Sequence, residues 1–423
     1  MPSTSEQARA VLDRIFSKTT KGIKLGLDRM VSAAARVGDP HLGCRSIHVA
    51  GTNGKGSICA SLDAMLRGAG FRTGLYTSPH LIHFEERYLI DGKPVETWQW
   101  LDIYRAFEPV IDRYDLTFFE TTTLIAFELF RRNGVEWAIY ETGLGGRLDA
   151  TNILKPAVAV IGAIGMDHVQ YLGDDILTIA GEKLGIAKPH TPLIMYRPEN
   201  QRVEELVRKH CHTHDISLRI ADSTTVQRVT NPQTTNGFVY KEKAIFPPFE
   251  GGYQIGNTLC AIYALEQIIP DRIDSAIDAL GEARLPGRYQ IMAVGGKSLV
   301  FDVAHNPQAA EALVSTLMTH FGEKPVRFVA GIMKDKDASA MLQQYTRAAG
   351  EIIFTRPNTP RALTSDELVA ICKRSCCIAH RAVESVKAAV EYALGSSDRS
   401  PICVTGSFFT VGEAMQALEI SPY

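Results

Sequence analysis

The sequence predicts an α/β protein built around a mostly parallel sheet and followed by a second, smaller α/β domain. Strand-like and helical segments alternate along most of the 423 residues, which is typical of parallel sheets with helices on both faces. Near residue 50 a buried strand runs into a glycine-rich turn and then a helix. At Leu285-Pro-Gly-Arg-Tyr289 a proline–glycine pair interrupts the alternation, which then begins again. We therefore expect one domain over residues 1–286 and another over residues 287–423.

The composition is that of an ordinary globular protein and argues against several kinds of partner. Hydrophobic residues make up 45% and charged residues 22%, with a formal net charge of −2 and no basic run, so we expect no nucleic-acid partner. Residues 1–7 lack the features of a signal peptide, and no apolar stretch approaches the roughly 20 residues that span a bilayer. Eight cysteines without a C-x-x-C pair indicate reduced thiols. These features predict a cytoplasmic monomer that binds no membrane.

Apolar periodicity places the elements of the first domain. Helical spacing predicts helices at 7–16, 28–37, 58–66, 101–114, 121–131 and 179–187. Short apolar runs predict strands at 47–50, 73–76, 137–140, 158–163 and 193–196. Residues 218–246 indicate short β segments with turns, and residues 256–269 indicate a further helix.

The glycine-rich turn, Gly51-Thr-Asn-Gly-Lys-Gly-Ser57, predicts a phosphate-binding loop. It lies between a strand and a helix, where backbone N–H groups and the helix N-terminus attract phosphate. Lys55 is expected to reach the β- and γ-phosphates, and the Ser57 hydroxyl to bind Mg²⁺ or a phosphate oxygen. The strict pattern G-x-x-x-x-G-K-[ST] is not met, because Gly56 occupies the hydroxyl position. The context still predicts a P-loop ATPase domain, followed by the smaller, Rossmann-like domain.

Polar residues follow several strands at their carboxyl ends, where α/β sheets place their ligands. Glu141 ends one strand and is expected to bind nucleotide-associated Mg²⁺. Thr77-Ser-Pro-His-Leu81 follows another strand as a loop on the same edge. His168 follows a third strand, and its position is compatible with either a structural role or metal binding.

Two further motifs leave a choice between a structural and a functional role. Lys183 stands in a helix beside an apolar run, and from the residues alone a solvated surface lysine is the expectation. Asp302-Val-Ala-His-Asn-Pro307 follows a strand of the second domain. Its Asp and His can contact ribose, phosphate or a leaving group, but an Asn-Pro turn that caps the next helix explains the motif almost equally well.

The second domain repeats the strand–helix alternation. Strands are predicted at 299–303, 326–330, 352–355 and 402–405, and helices at 309–320, 338–348, 365–372 and 383–393. In the first domain, His210, His212 and His214 alternate on what we interpret as an extended segment, but no partner at ligand spacing supports a zinc site. Trp98 and Trp100 are expected to pack against helices rather than on a substrate.

Together these motifs resemble the folylpolyglutamate synthase/dihydrofolate synthase family of Mur-type ATP-dependent amide ligases. The resemblance extends from about Lys18 to near the C-terminus, and the family's phosphate loop reads G-T-N-G-K-G-[ST]. Further motifs agree in order: Thr77-Ser-Pro-His-Leu81, Glu141 with Gly143-Leu-Gly-Gly-Arg-Leu-Asp-Ala-Thr-Asn152, Asp167-His168, Glu182-Lys183-x-Gly-Ile186, Leu285-Pro-Gly-Arg288, Asp302-x-Ala-His-Asn-Pro307 and Lys334-Asp-Lys-Asp337.

The resemblance implies a nucleotide and metal site between the two domains. ATP would be held by Thr52, Asn53, Gly54, Lys55, Gly56, Ser57, Asn257, Arg288 and Asp302, with His305 near the phosphates. Mg²⁺, at two positions, would be bound by Ser57, Ser78, Glu141, His168 and Lys183, and K⁺ is a further expected ion. Lys183 matches a lysine that family members carry as a carbamate, which reverses the surface interpretation. The residues expected to act in catalysis are Lys55, Lys183 and His305.

The resemblance also implies the substrates and the reaction. The pterin would lie along three segments, with contacts from Lys24, Leu25, Gly26, Leu27, Thr117, Phe118, Phe119, Glu120, Leu148, Asp149 and Ala150. ATP would convert a substrate carboxylate to an acyl phosphate, which the amine of L-glutamate attacks. Closure of the C-terminal domain about Pro286-Gly287 is expected to protect this intermediate from water.

The substrate preference depends on fewer residues. Leu25-Gly-Leu-Asp-Arg29 and His80 resemble bacterial enzymes that glutamylate both dihydropteroate and reduced folates, so the sequence favours the bifunctional enzyme. Alternatives are a ligase that only polyglutamylates folates, a related Mur-type ligase with another amino acid, and a nucleotide-binding regulatory protein without ligase turnover. The presence of Glu141, His168 and Lys183 argues against the regulatory protein.

Overall fold

The computed structural model describes residues 3–17, 26–231, 236–375 and 378–423. Its first half contains an eight-stranded sheet made of β1 (Arg45–Ala50), β2 (Thr73–Tyr76), β3 (Tyr88–Ile90), β4 (Lys93–Pro94), β5 (Trp137–Glu141), β6 (Val158–Ile161), β7 (Leu193–Tyr196) and β8 (Leu218–Ala221). The order across the sheet is β4-β3-β2-β5-β1-β6-β7-β8. Strands β2, β5, β1, β6, β7 and β8 run in parallel, and β3 and β4 add an antiparallel edge. The predicted mostly parallel sheet is confirmed.

Helices cover both faces of this sheet. They are α1 (Thr4–Ser17), α2 (Asp28–Arg36), α3 (Lys55–Gly68), α4 (Thr97–Arg113), α5 (Phe118–Arg132), α6 (Val169–Leu172), α7 (Ile176–Leu184), α8 (Gln201–Thr213), α9 (Gln254–Ile268) and α10 (Ile273–Asp278). Successive residues of a strand point to opposite faces. Ile139 of β5 accordingly packs in a core with α3 and α9, whereas its neighbours Ala138 and Tyr140 pack in a core with α4 and α5.

A small antiparallel sheet follows the large one. It consists of β9 (Arg228–Val229), β10 (Gly237–Tyr240) and β11 (Lys243–Ile245). The predicted short β segments are therefore present. The first of them, β8, joins the large sheet instead, because it pairs in parallel with β7.

The C-terminal part is a separate six-stranded sheet with its own helices. The strands are β12 (Gln290–Val294), β13 (Lys297–Phe301), β14 (Val326–Ala330), β15 (Ala349–Arg356), β16 (His380–Ser385) and β17 (Ile402–Thr405), in the order β12-β13-β17-β14-β15-β16. The helices are α11 (Pro307–Phe321), α12 (Ala338–Tyr345), α13 (Ser365–Ser375), α14 (Val386–Gly395) and α15 (Phe408–Ala417). Only β12 pairs antiparallel within this sheet. The predicted second α/β unit is confirmed.

The extended interpretation of the histidine-rich segment is wrong. Residues 201–213 form α8, because Val203, Val207 and Cys211 recur every four residues and are buried along one face. His210 and His214 therefore lie one turn apart, with ring centroids separated by 4.5 Å. In the part of the chain that the structure describes, no helix is long and apolar enough to cross a membrane.

Two smaller expectations also differ from the structure. A helix is expected from residue 383, but β16 extends to Ser385, and α14 begins only at Val386 because the Ser385 hydroxyl accepts a hydrogen bond from the Ala388 N–H (3.3 Å). Trp100 is buried as expected, whereas Trp98 is more than half exposed on the outer side of α4.

Candidate active site

The phosphate loop predicted at residues 51–57 joins β1 to α3. The helix begins at Lys55, three residues earlier than the apolar spacing indicates. Gly54 precedes it with a φ of +84°, a conformation that other L-residues rarely adopt. A Cβ at this position would lie only 2.4 Å from the side-chain oxygen of Asn257 in α9. Both constraints require glycine at position 54, and the second places α9 directly against the loop.

Lys55 and Thr52 are held by backbone groups of the loop and of the segment after β6. The Lys55 Nζ donates hydrogen bonds to the carbonyls of Gly51 (3.1 Å) and Thr52 (3.2 Å). The Thr52 hydroxyl donates to the Gly165 carbonyl (2.9 Å) and accepts from the Gly165 N–H (3.1 Å). The loops after β1 and β6 are therefore held together, with the ammonium group inside the turn.

Ser57 and Asn257 are joined through a residue that the sequence analysis missed. The Gln254 amide donates to the Ser57 hydroxyl (3.2 Å), and the Asn257 amide donates to the Gln254 side-chain oxygen (2.8 Å). All three residues are buried. The first turn of α3 and the first turn of α9 thus share one chain of hydrogen bonds.

Glu141 and Ser78 meet at the carboxyl edge of the large sheet. The Ser78 N–H donates to Glu141 Oε2 (3.3 Å), and no other hydrogen bond from the described residues reaches this carboxylate. Burial raises the pKa of Glu141, while the positive charges of Lys55 and Arg288 oppose the rise. Glu141 is a buried carboxylate whose charge the protein compensates only in part.

Lys183 is buried in α7, with 3% of its surface exposed. The solvated surface lysine expected from the residues alone is therefore wrong. No hydrogen bond or ion pair joins its Nζ to the residues that the structure describes. Burial, with repulsion from Lys55, lowers the pKa of Lys183 to about 7. A substantial fraction of this amine is neutral near pH 7, and a neutral amine is a nucleophile.

Asp167, in the loop after β6, connects the two sheets. Its carboxylate lies 2.6 Å from the Lys336 Nζ, 3.7 Å from His305 Nε2 and 3.9 Å from His168 Nε2. Burial alone would raise the pKa of Asp167, but the neighbouring His168 and Lys336 hold it well below its usual range. Burial lowers the pKa of His168 and of His305 to about 4, so both rings are neutral near pH 7. Lys336 is consequently the cation that balances Asp167 at that pH.

Asn53 of the phosphate loop also reaches the C-terminal part of the chain. Its amide donates to the Gln308 side-chain oxygen (2.9 Å), and its oxygen accepts from the Asn306 amide (3.1 Å). Asn306 caps α11 as well, because its oxygen accepts from the Ala309 N–H (2.9 Å). The cap expected from the Asn-Pro turn is present, and the same side chain contacts the phosphate loop.

Asp302 is buried where β13 ends, and the half-buried Arg288 lies close enough for its charge to act on the Asp302 carboxylate. The Asp302 carboxylate accepts hydrogen bonds from the N–H groups of Tyr289 (2.9 Å) and Ala304 (2.8 Å). Burial raises its pKa, and the charge of Arg288 opposes the rise. The Arg288 guanidinium lies 4.9 Å from the centroid of the Phe408 ring.

The predicted pterin contacts on α5 begin with a helix cap. The Thr117 N–H donates to Glu120 Oε2 (2.8 Å), and Arg29 Nη2 lies 3.0 Å from Glu120 Oε1. The Glu120 carboxylate therefore caps the start of its own helix and also pairs with Arg29 of α2. Phe118 follows Thr117 and is mostly buried, and the Phe119 ring lies 5.9 Å from that of Tyr76. Of the predicted loop residues, Gly26 and Leu27 precede α2, whereas Lys24 and Leu25 lie outside the described residues.

Asp149 is buried between the half-buried Leu148 and the buried Ala150, and it organises its own loop. Its carboxylate accepts from the N–H groups of Gly143 (2.9 Å) and Leu144 (2.9 Å), and from the N–H (3.0 Å) and hydroxyl (2.5 Å) of Thr151. The Thr151 hydroxyl is also 2.7 Å from His48 Nε2 in β1. Buried His48 of β1 therefore connects this loop to the large sheet through Thr151.

The residues predicted to bind metal lie around one ammonium group. The charge of Lys55 acts on the pKa of Glu141, His168 and Lys183. Among the described residues there is no group of three or more His, Cys, Asp or Glu side chains arranged to hold a metal ion. A single buried carboxylate that is compensated only in part nevertheless fits Mg²⁺, which keeps several water or phosphate oxygens as ligands.

The structure adds residues to the site that the sequence did not single out. Lys336 belongs to the motif Lys334-Asp-Lys-Asp337, but its partner Asp167 is 169 residues away in the sequence. Gln254 and Gln308 carry no recognisable motif. Both glutamines share one signal: each is a polar residue in the first turn of its helix, Gln254 in α9 and Gln308 in α11.

Residues 49–265 match the Mur ligase middle domain, and residues 287–408 match the Mur ligase, glutamate ligase domain. A dihydrofolate synthase/folylpolyglutamate synthase from Bacillus subtilis is 31% identical over 425 residues, covering 96% of this chain and 97% of the relative.

Solved structures agree over nearly the whole chain. The structure of E. coli FolC in complex with DHPP and ADP is 29% identical, with a TM-score of 0.87 and 99% of each chain covered. A bifunctional folylpolyglutamate synthase/dihydrofolate synthase with Mn, AMPPNP and L-glutamate bound is 29% identical, with a TM-score of 0.85, and the match covers 99% of this chain and 100% of that one.

Proposed function

The chain belongs to the Mur ligase family, among the dihydrofolate synthases/folylpolyglutamate synthases, and we propose that it glutamylates both 7,8-dihydropteroate and reduced folates. It is an ATP-dependent ligase of folate metabolism. The observation that carries the proposal is the charge cluster around Lys55. It combines a phosphate loop, the buried carboxylate Glu141 and the amine Lys183 with Arg288 and His305 from the C-terminal part.

The chemistry requires activation of a carboxylate, because a carboxylate is a poor acyl donor. Transfer of the γ-phosphoryl group of ATP to the substrate carboxylate gives an acyl phosphate and ADP. Lys55 and Arg288 stabilise the charge on the transferred group. The amine of L-glutamate then attacks the carbonyl carbon, the bond to the phosphate oxygen breaks, and the amide forms with loss of a proton from nitrogen. The departing phosphate can accept that proton, and we propose that His305, neutral near pH 7, lies beside the phosphates.

We assign the nucleotide to the phosphate loop and to the residues that face it. The proposed contacts are Thr52, Asn53, Gly54, Lys55, Gly56, Ser57, Asn257, Arg288 and Asp302. Two Mg²⁺ positions would use Ser57, Ser78, Glu141, His168 and Lys183, and K⁺ is a further proposed ion. Bound Mg²⁺ supplies Lewis-acid stabilisation of the phosphate oxygens.

Lys183 is proposed to act as a carbamate. Its neutral amine would attack CO₂, forming an N–C bond and losing a proton, which converts a buried base into a carboxylate. The lack of any partner for its Nζ among the described residues supports this assignment. Lys183→Ala should abolish turnover, and added acetate should restore part of it by supplying a carboxylate. A carbamate resonance in ¹³C NMR with labelled bicarbonate, absent from the variant, would identify the group directly.

The pterin is assigned to the segments around α2, α5 and the Asp149 loop, that is, to Lys24, Leu25, Gly26, Leu27, Thr117, Phe118, Phe119, Glu120, Leu148, Asp149 and Ala150. We further propose a cytoplasmic monomer with no nucleic-acid or membrane partner. Residues 1–286 and 287–423 would act as two domains that close about Pro286-Gly287. Identical small-angle scattering with and without ATP plus pterin would contradict this closure.

The deciding experiment is phosphate release from MgATP in the presence of L-glutamate, with 7,8-dihydropteroate or tetrahydrofolate as acceptor. Turnover with both acceptors, dependent on glutamate and absent from Lys183→Ala, is expected. Turnover with tetrahydrofolate alone would identify a polyglutamylating ligase. Glutamate-independent nucleotide binding without phosphate release would instead support a regulatory protein.

A further inference from the structure

Phe16 lies in the last turn of α1, a helix that no motif connects with the active site. Ion pairs of Arg14 with Glu108 and Asp112 hold this helix against α4. Residue 16 is thereby fixed close to the start of α5, which begins with the predicted pterin contact Phe118. The position of Phe16 is set by the packing of α1 and not by its neighbours in the sequence.

The Phe16 ring stacks on Phe118. Their ring centroids are 4.8 Å apart and the ring planes differ by 17°. Phe118 is 8% exposed, whereas Phe16 is 39% exposed. The ring of His80 lies 6.4 Å from Phe16 in an edge-on arrangement. Phe16 is therefore the exposed end of an aromatic cluster whose other phenylalanine is buried.

Polar groups border this aromatic surface. Arg87 Nε donates a hydrogen bond to His80 Nδ1 (2.8 Å), and the Arg87 guanidinium lies 5.0 Å from the Phe118 ring centroid. Because the His80 Nδ1 accepts this hydrogen bond, the ring proton is on Nε2. An apolar ring with donors at its border is suited to a flat heteroaromatic ligand with acceptor atoms.

We propose that Phe16 is a specificity-determining residue whose ring stacks on the bicyclic pterin of the substrate. The inference rests on the proposed function and adds α1 to the pterin-binding surface. It accounts for a large aromatic side chain that stays half-exposed next to a buried aromatic cluster. Stacking of this kind is expected to change affinity by about three- to tenfold.

The test is equilibrium binding, measured without turnover, on the full chain. Phe16→Leu keeps an apolar side chain but removes the stacking surface, and Phe16→Tyr keeps the ring. Tyr392→Leu is the matched control, because Tyr392 is an aromatic residue on α14 with nearly the same exposure (40%). The probes are 7,8-dihydropteroate, which has the bicyclic ring, and p-aminobenzoyl-L-glutamate, which lacks it. Thermal unfolding of each variant verifies folding.

Phe16→Leu is expected to weaken dihydropteroate binding about three- to tenfold and to leave p-aminobenzoyl-L-glutamate and ATP binding within about twofold of wild type. Phe16→Tyr and Tyr392→Leu should bind dihydropteroate like the wild type. Equal weakening for both probes, or no change for dihydropteroate, would overturn the role of Phe16 alone. Failure of the wild type to bind dihydropteroate would overturn the proposed function itself.

Discussion

Two carboxylates at the carboxyl edge of the large sheet are buried to a similar extent but are held in different electrostatic states. Glu141 in β5 has one hydrogen bond from the Ser78 N–H, and burial raises its pKa. Burial would also raise the pKa of Asp167, yet Lys336, 2.6 Å away, helps to hold it well below the usual range. The first carboxylate receives its hydrogen bond from within the large-sheet part of the chain, whereas the second is paired directly with a lysine from the C-terminal part.

The difference shows how two sheets can share one site. The large sheet presents a carboxylate with too little positive charge around it, which suits the binding of a cation. The C-terminal part adds the charge of Arg288 near Glu141, whereas at Asp167 it supplies Lys336 as a direct ion-pair partner, so the Asp167–Lys336 pair reports whether the two parts are in contact. Four changes test this comparison, from the largest expected effect to the smallest.

Lys336→Met should have the largest effect on stability. It removes the cation of a buried pair and leaves Asp167 without it, a loss of about 3–5 kcal/mol in the free energy of unfolding. The double variant Lys336→Met/Asp167→Asn should recover most of that loss, measured by urea denaturation. Lys334→Met is the control, because Lys334 is exposed and its Nζ donates to the Pro360 carbonyl (3.1 Å) rather than to a buried carboxylate. Equal effects at positions 334 and 336 would contradict the pairing.

Glu141→Gln should separate activity from stability. Loss of the carboxylate is expected to lower kcat/KM by about a hundredfold or more, since the proposed cation loses a charged ligand. The midpoint of thermal unfolding should stay the same or rise, because a partly uncompensated buried charge is removed. A large fall in that midpoint would mean that Glu141 is already well paired in the protein.

Acid should destabilise the protein through one buried and three half-buried histidines before it affects Asp167. Burial lowers the pKa of His48 and of His80 to about 3 and that of His168 and His305 to about 4, all below the unfolded value of 6.5. The unfolded chain therefore binds protons that the folded chain does not, and stability falls as the pH drops from 6.5 towards 4. The fully buried His48 contributes a slope of about 1.4 kcal/mol per pH unit, and the half-buried rings contribute less because solvent screens them.

The same experiment separates the two regions. The Asp167 pair has a folded pKa below the unfolded value of 3.8, so its contribution is present above that pH and is lost only at lower pH. For His48→Gln, urea denaturation between pH 7 and pH 4 should show a smaller dependence of the free energy of unfolding on pH, because one titrating group has been removed. An unchanged slope would exclude His48 as a source of the acid sensitivity.

Asn306→Ala should have the smallest effect on stability, about 1 kcal/mol, through loss of the α11 cap. Asp337→Ala is the matched control, because Asp337 caps α12 in the same way through the Ala340 N–H (2.9 Å). Both variants should unfold at similar urea concentrations. Of the two variants, Asn306→Ala should raise the KM for ATP, because Asn306, unlike Asp337, donates a hydrogen bond to Asn53 in the phosphate loop (3.1 Å).

Much of the fold follows from local sequence. The strands Thr73–Tyr76, Leu193–Tyr196, Val326–Ala330 and Ile402–Thr405 agree with their predicted limits, because short apolar runs bounded by turn residues leave little choice. The unpredicted strands β4, β12 and β16 lie at the edges of their sheets, and the unpredicted β3 lies next to the edge strand β4. Edge strands bury less apolar surface, so their residues carry a weaker pattern; β16, for example, has no fully buried residue.

In the candidate site, too, some features follow from local sequence and others depend on tertiary packing. The phosphate loop is a local structure, since Gly54 and the strand and helix around it specify the turn. Lys183 reads as a surface residue because its neighbours in the sequence do not show that its helix is covered. The sequence of β1 likewise does not reveal the hydrogen-bond partner of His48, because that partner is the Thr151 hydroxyl, about a hundred residues away.

By itself the sequence determined the α/β alternation, the glycine turn and the polar residues at the strand ends, because these depend on backbone geometry and on residues a few positions apart. Only the tertiary structure decided which charges meet. The Asp167–Lys336 pair spans 169 residues, and the stacking of Phe16 on Phe118 joins α1 to α5. A pKa depends on burial and on charges within a few ångströms, and those distances exist only once the sheets and helices have packed.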